Sequence, residues 1–216
     1  GLAPSGSISG TVTAEDGGAP LADVQVCASA NSGFNCAITA NDGTYTISGL
    51  ATGNYTVTFA DFNGIYINEY FDDVVDYDSA TPVSVTPRTT TPGVDAALGS
   101  GASVSGTVTE DGSGDPLENV YVCVFDQANV YECDYSGVDG TYSVGGLPSG
   151  NFTVGFSDFT GAHINEFFDD VTDFDLATAV TTTVPNKTAN IDASLGLAGS
   201  ISGTVTVGAS GVGVTS

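Results

Sequence analysis

A seven-residue phrase occurs three times in this chain, and its spacing limits what the chain can fold into. Ser7-Ile8-Ser9-Gly10-Thr11-Val12-Thr13 returns as Ser103-Val104-Ser105-Gly106-Thr107-Val108-Thr109, then as Ser200-Ile201-Ser202-Gly203-Thr204-Val205-Thr206. The intervals are 96 and 97 residues. Between these marks the copies stay in step: Asp42-Gly43-Thr44-Tyr45 matches Asp139-Gly140-Thr141-Tyr142, and Ile67-Asn68-Glu69-Tyr70-Phe71-Asp72-Asp73-Val74 matches Ile164-Asn165-Glu166-Phe167-Phe168-Asp169-Asp170-Val171. A period this long exceeds a solenoid repeat and suits whole domains in series, each with its own core. It predicts one domain over residues 1–102, a second over 103–199, and the first two strands of a third over 200–216. The duplication also acts as a filter, because chemistry confined to one copy is not what the module is for.

Within each copy the pattern is that of strands. Ile8, Gly10 and Val12 share one face while Ser9, Thr11 and Thr13 share the other, and no stretch keeps a helical period. Turn signals such as Asp16-Gly17-Gly18-Ala19-Pro20, Asn41-Asp42-Gly43 and Gly49-Leu50-Ala51-Thr52-Gly53 separate the apolar runs. Roughly six to eight short strands with a turn about every 8–12 residues indicate an all-β chain of tandem antiparallel β-sandwiches. One segment breaks this rhythm in both copies. Residues 61–80 mix aromatics (Phe62, Tyr66, Tyr70, Phe71, Tyr77) with acids, and a loop of that length needs a site or packing of its own.

Charge narrows the partners. Lys and Arg number 2 against 26 Asp and Glu, leaving a net charge of -24. Phosphate contacts require basic side chains, so nucleic acid is excluded as a partner. An anionic membrane surface would repel the chain, and no apolar run suggests direct membrane insertion. Self-repulsion of this size favours a cation-rich medium or a divalent-ion site. The four Cys fall as one pair per copy, Met is absent and Gly numbers 29, which together read as an extracellular or cell-surface protein.

The frame Ser-Ile-Ser-Gly-Thr-Val-Thr, Asp-Gly-Thr-Tyr-Thr-Ile-Ser-Gly-Leu and Gly-Asn-Tyr-Thr-Val resembles carboxypeptidase regulatory-like domains, relatives of the B-type repeats of bacterial surface adhesins and similar in fold to transthyretin. The resemblance covers both copies. It implies a seven-strand, prealbumin-like sandwich serving as a non-catalytic structural unit, in a family that also hosts some glycan-binding modules. Some adhesin B-type domains lock themselves with a Lys–Asn isopeptide bond from an early strand. Neither early strand here contains Lys, so that crosslink is excluded.

The cysteines offer another staple. Cys27 and Cys36 flank a turn near Asn31-Ser32, and Cys123 and Cys133 occupy the same place in the second copy. Opposed cross-strand positions, about 4.5–5.5 Å apart, suit a disulfide. The second pair is one residue further apart, so its loop must be odd-numbered or bulged. A thiolate metal pair would need His or further Cys nearby, and none is present.

The acids of the long loop have identical spacing in both copies: Asp72-Asp73-x-x-Asp76-x-Asp78 and Asp169-Asp170-x-x-Asp173-x-Asp175. Ca²⁺ takes about six to eight oxygens, and such a loop, completed by Asp61 and Glu69 or by Asp158 and Glu166, offers several. The pattern is not an EF-hand loop. The competing reading is a solvated acidic loop. Glu110-Asp111-Gly112-Ser113-Gly114-Asp115 is a weaker candidate that reads better as a turn. The loop aromatics read as anchors to the sandwich, with a glycan-binding face as the alternative.

Catalysis finds no support. The single His, His163, aligns with Tyr66, so a Ser/His/Asp or Cys/His site would exist in one copy alone. Asn54, Asn151 and Asn186 head N-x-T glycosylation sequons. The third start leaves a hairpin whose apolar residues (Ile201, Val205, Val207, Val212, Val214) lack a partner sheet. It is expected either as part of a longer array or as a strand donated to a neighbouring subunit, which would build a filament. Both readings string modules in line, as a stalk, surface layer or filament. The alternative is an adhesin-type module that takes a glycan or host ligand through its acidic-aromatic loop.

Overall fold

The computed structural model describes residues 4–31, 33–126, 130–204, 206–207 and 212–213. It contains two sandwiches of the same design. The first is built from β1 (Gly6–Ala14), β2 (Gln25–Ala30), β3 (Gly33–Ile38), β4 (Thr44–Leu50), β5 (Gly53–Ala60), β6 (Glu69–Tyr70), β7 (Val83–Val85), β8 (Thr90–Thr91) and β9 (Ala96–Leu98). One sheet has the order β4-β1-β8, with β9 also on β1; the other runs β3-β2-β5-β6, with β7 also on β5. The second sandwich repeats this with β10 (Ala102–Glu110), β11 (Tyr121–Phe125), β12 (Tyr131–Tyr135), β13 (Thr141–Leu147), β14 (Gly150–Ser157), β15 (Glu166–Phe167), β16 (Val180–Thr182), β17 (Lys187–Thr188) and β18 (Ala193–Leu195).

Alternation along each strand fills the space between the sheets. Ile8 and Val12 of β1, Tyr45 and Ile47 of β4, Val26 and Ala28 of β2, and Tyr55, Val57 and Phe59 of β5 form one buried cluster with Val83, Val85 and Leu98. Val104, Val108, Tyr142, Val144, Val122, Val124, Phe152, Val154 and Phe156 form its counterpart. The Tyr of the Asp-Gly-Thr-Tyr motif pins the sheet edge: Tyr45 Oη donates to the Val94 carbonyl and Tyr142 Oη to that of Ile191, each at 2.5 Å. Burial raises both phenols well above their ordinary value, so they remain donors.

The sheet built on β2 and β5, like that on β11 and β14, is antiparallel throughout as alternation predicts, whereas the sheet on β1 or β10 is mixed. β8 and β9 both run parallel to β1, with Ser7 opposite Thr90 and Val12 opposite Ala96. The chain crosses the sandwich after β7 and returns to β1 in the same direction. An Asp caps this return, since Asp95 Oδ1 accepts from Thr11 N at 2.7 Å and Asp192 Oδ1 from Thr107 N at 2.8 Å.

Both cysteine pairs are disulfides within hairpins. Cys27 stands opposite Cys36 across β2–β3, and Cys123 opposite Cys133 across β11–β12, each with Cα atoms 4.1 Å apart. The second hairpin pairs Phe125 with Tyr131, so its loop is odd-numbered. Beyond the second sandwich, Ile201 is fully exposed, and β19 (Thr206–Val207) pairs with β20 (Val212–Gly213). Val205 and Val214 lie outside the described residues.

Candidate functional site

The long loop after β5 is organised by its acids. Asp61, buried at the end of that strand, accepts Asn63 N on Oδ1 and both Ile65 N and Tyr66 N on Oδ2, each at 3.0 Å. Asp158 repeats this with Thr160 N at 2.8 Å and His163 N at 3.1 Å. The ring that replaces Tyr66 adds a contact of its own. His163 Nδ1 lies 2.8 Å from Asp158 Oδ2, and Nε2 lies 3.3 Å from Glu110 Oε2. The Asp158 carboxylate raises the imidazole above its ordinary value; burial opposes this and Glu110 adds to it. Burial also works against ionisation of Asp158, but hydrogen bonds from Thr160 and His163 outweigh it and bring that carboxyl down to about 2.

Further along, Asp76 and Asp173 cap 3₁₀ turns at Tyr77–Ser79 and Phe174–Leu176, accepting Asp78 N and Asp175 N at 3.1 Å. Asp72 Oδ2 accepts from Thr81 Oγ1 at 2.8 Å. Asp72, Asp73 and Asp170 adopt positive φ, a conformation Asp tolerates better than most residues, while Asp169 is exposed beside them. One repeated acid thus has the same local role in both copies, since Asp76 and Asp173 cap the same turn. Among the described residues, no three His, Cys, Asp or Glu side chains converge closely enough to hold a metal ion. The aromatics anchor the loop, with Tyr70 edge-on to Tyr77 at 5.6 Å and Phe167 edge-on to Phe174 at 5.7 Å. Phe62 and Phe159 remain outside, exposed by 76% and 73%.

Glu69 and Glu166 stand apart from these caps. Each is buried at the start of a two-residue edge strand, β6 or β15, and each keeps an Oε1 without a hydrogen-bond partner. Burial, then the charges of Asp73 and Glu15, push the Glu69 carboxyl up to about 7. Burial and Asp170 do the same for Glu166, also to about 7.

The loop of the first module does one thing more: it meets the second module. Asn68 Oδ1 accepts from Asp61 N at 2.7 Å, which leaves its Nδ2 to donate to Glu132 Oε1 on β12 at 2.8 Å. Beside this bond Gly64 packs on Gly145, and Gly101 of the linker packs on Gly146. A Cβ on Gly145 would run into the Gly64 carbonyl, and one on Gly101 would come within 2.6 Å of the Gly146 Cα. The linker is tied to the loop as well, by Ile67 N to Gly99 O at 2.9 Å and Gly101 N to Ile65 O at 2.8 Å. A cleft of about 220 Å³ lies alongside, lined by Asn68, Glu69 and Tyr70 on one side and Val130, Glu132 and Pro148 on the other. Burial raises the Glu132 carboxyl, and its bond from Asn68 holds it back.

Residues 7–99 match the family model described as carboxypeptidase regulatory-like domain. The first module is a carboxypeptidase regulatory-like domain. The second module has the same strand order, pairing and core positions. No curated protein matches the chain. Among solved structures it is similar to the Bacillus anthracis TIE protein, with 13% identity over 90% of this chain and 34% of that one, at a TM-score of 0.37. It is also similar to a Streptococcal ancillary pilin (14%, 85% and 62%, 0.34) and to shaft pilin SpaA from Lactobacillus rhamnosus GG (9%, 92% and 99%, 0.37). The chain thus spans only part of the first two.

Cap and joint differ in how they announce themselves. Asp61, Asp76 and their partners show as repeated acids. The joint residues Asn68, Glu132, Gly101 and Gly145 do not, because their meaning lies in a contact between copies. Its sequence trace is a mismatch between the copies: Asn35 and Ser48 occupy the first module's positions for Glu132 and Gly145, and Ala198 the second module's position for Gly101.

Proposed function

We propose that this chain is a non-catalytic structural segment of an extracellular or cell-surface protein, in which disulfide-braced sandwiches are strung in line as a spacer, stalk or filament element. The observation that carries this reading is the joint. A loop too long for a plain connection is spent on orienting the next module, through Asn68–Glu132 and a contact of backbone against backbone at Gly64, Gly101, Gly145 and Gly146. Disulfides in both hairpins support an oxidising location. Among the described residues, no helix is long and apolar enough to cross a membrane. Asp61, Asp76, Asp158 and Asp173 cap turns of the loop, and Tyr70 with Tyr77 and Phe167 with Phe174 anchor it, so these side chains serve to hold its shape. Growth into filaments by strand addition from residues 200–216 is the further step of this proposal.

Electron microscopy of the purified chain over a concentration series tests it. Thin two-lobed particles that lengthen into rods as concentration rises are expected. Particles that never elongate but bind saturably to a glycan panel would contradict it and favour the adhesin-type reading.

A further inference from the structure

We infer that the glycine joint locks one pair only: the two modules form a rigid unit, and a module added at either outer end lacks the lock. This rests on the in-line reading above and goes beyond it by stating where a longer array is stiff and where it bends. The joint needs four backbones without side chains, at Gly64 and Gly101 on the leading side and at Gly145 and Gly146 on the receiving side. It also needs a carboxylate, Glu132, to take the Asn68 amide.

Each outer end keeps part of its side of this set and loses the rest. On the first module, the receiving positions are filled by Asn35, Ser48 and Gly49. Ser48 brings a Cβ to the place where one on Gly145 would strike the opposing carbonyl. Asn35 is bonded within its own module as well, donating from Nδ2 to the Ser48 carbonyl at 2.7 Å while its Oδ1 accepts from Cys36 N at 3.0 Å. Its amide is thereby committed within the first module, and the position lacks the carboxylate that receives Asn68 in the joint.

On the second module, the leading loop is prepared but its linker is not. Asn165 Oδ1 accepts from Asp158 N at 2.8 Å, as Asn68 Oδ1 does from Asp61 N. Gly161 has the positive φ of Gly64, and Ile164 N and Ala198 N bond Gly196 O and Ala162 O at 2.8 Å, repeating the ties of the first linker. The residue at the Gly101 position is Ala198, however, and its methyl points where a Cβ on Gly101 would meet the Gly146 Cα. The footprint on this side is bare: Ile164 is 45% exposed and Asn165 is exposed, while Ile67 and Asn68 are half-covered.

The test continues the chain from Gly199 with a second copy of residues 103–199, which supplies a receiving face with Glu132, Gly145 and Gly146 equivalents. Hydrogen exchange of the Asn68 and Asn165 side-chain amides is followed by NMR. With Ala198 in place, Asn68 is expected to be protected and Asn165 to exchange as a free amide. Ala198→Gly is expected to slow exchange at Asn165 by about fivefold, the size of one net hydrogen bond. Protection of Asn165 with Ala198 present, or none after Ala198→Gly, overturns the inference. An unprotected Asn68 in the unextended chain strikes the in-line reading itself. Gly101→Ala in the native chain tests the steric argument without an added module. Asn68 should lose protection while core amides of both modules keep theirs, and retained protection at Asn68 would overturn the inference.

Discussion

The two copies of the long loop are nearly the same loop in different company. Around Asp61 and around Asp158 the chain makes closely similar caps, the same Asn bond and the same ties to its linker. Yet Asn68 donates to Glu132 of a neighbouring module, and Asn165 faces solvent. The difference teaches that the loop's shape is a property of the module, while its contact is set by a few residues on the opposite face. Loop and joint are separable: one can be altered with the other left intact.

The largest expected effect tests whether the modules are otherwise equal. Replacing both cysteines of either pair by Ala should cost about 2–3 kcal/mol in that module, measured by denaturant unfolding, because both disulfides close loops of similar length. Losses differing by more than about 1 kcal/mol would break the equivalence on which the comparison stands.

The next effect separates the copies by pH. Glu69 and Glu166 titrate near 4.5 when unfolded and at about 7 when folded. As pH rises across that window the unfolded chain gives up its proton first, so stability falls and the loss is complete above it. Glu69→Gln should therefore raise stability by about 1–2 kcal/mol at about pH 8 and change little at about pH 4, the full value being trimmed by solvent screening. The second module carries an added dependence of the same sign. His163, raised by Asp158, contributes stability below its unfolded value of 6.5 that disappears as pH rises through its folded value. His163→Tyr, which restores the first module's residue, should flatten the second module's profile to match the first. An unchanged profile would remove His163 from the account.

The smallest effect isolates the joint. Asn68→Ala and Asn165→Ala both remove a cap on the loop, but Asn68→Ala also removes the bond to Glu132. The first should cost about 1 kcal/mol more than the second in thermal unfolding. Equal costs would mean that the cross-module bond contributes nothing.

Much of this fold is legible in the sequence, because alternation at Ile8, Val12, Tyr45, Ile47 and Phe59 assigns faces without knowledge of partners. The cysteine pairing follows from a turn between two strands. The parallel return of Thr90–Thr91 and Ala96–Leu98 onto the first strand is not legible, since short strands carry no sign of direction. The acids were visible as a pattern, but the pattern does not distinguish a shared ligand from Asp76 capping a turn or Asp61 holding three backbone amides. The joint was hidden for a different reason. Repetition highlights what the copies share, and the joint depends on where they differ, at Asn35 against Glu132 and Ser48 against Gly145.

Residual dipolar couplings of the native chain test the central claim most directly, with amides of β1–β9 and of β10–β18 fitted separately. A single alignment tensor shared by both modules is expected in the native chain, splitting into two in the Gly101→Ala chain. Tensors that already differ in magnitude in the native chain would show modules moving independently and would contradict it.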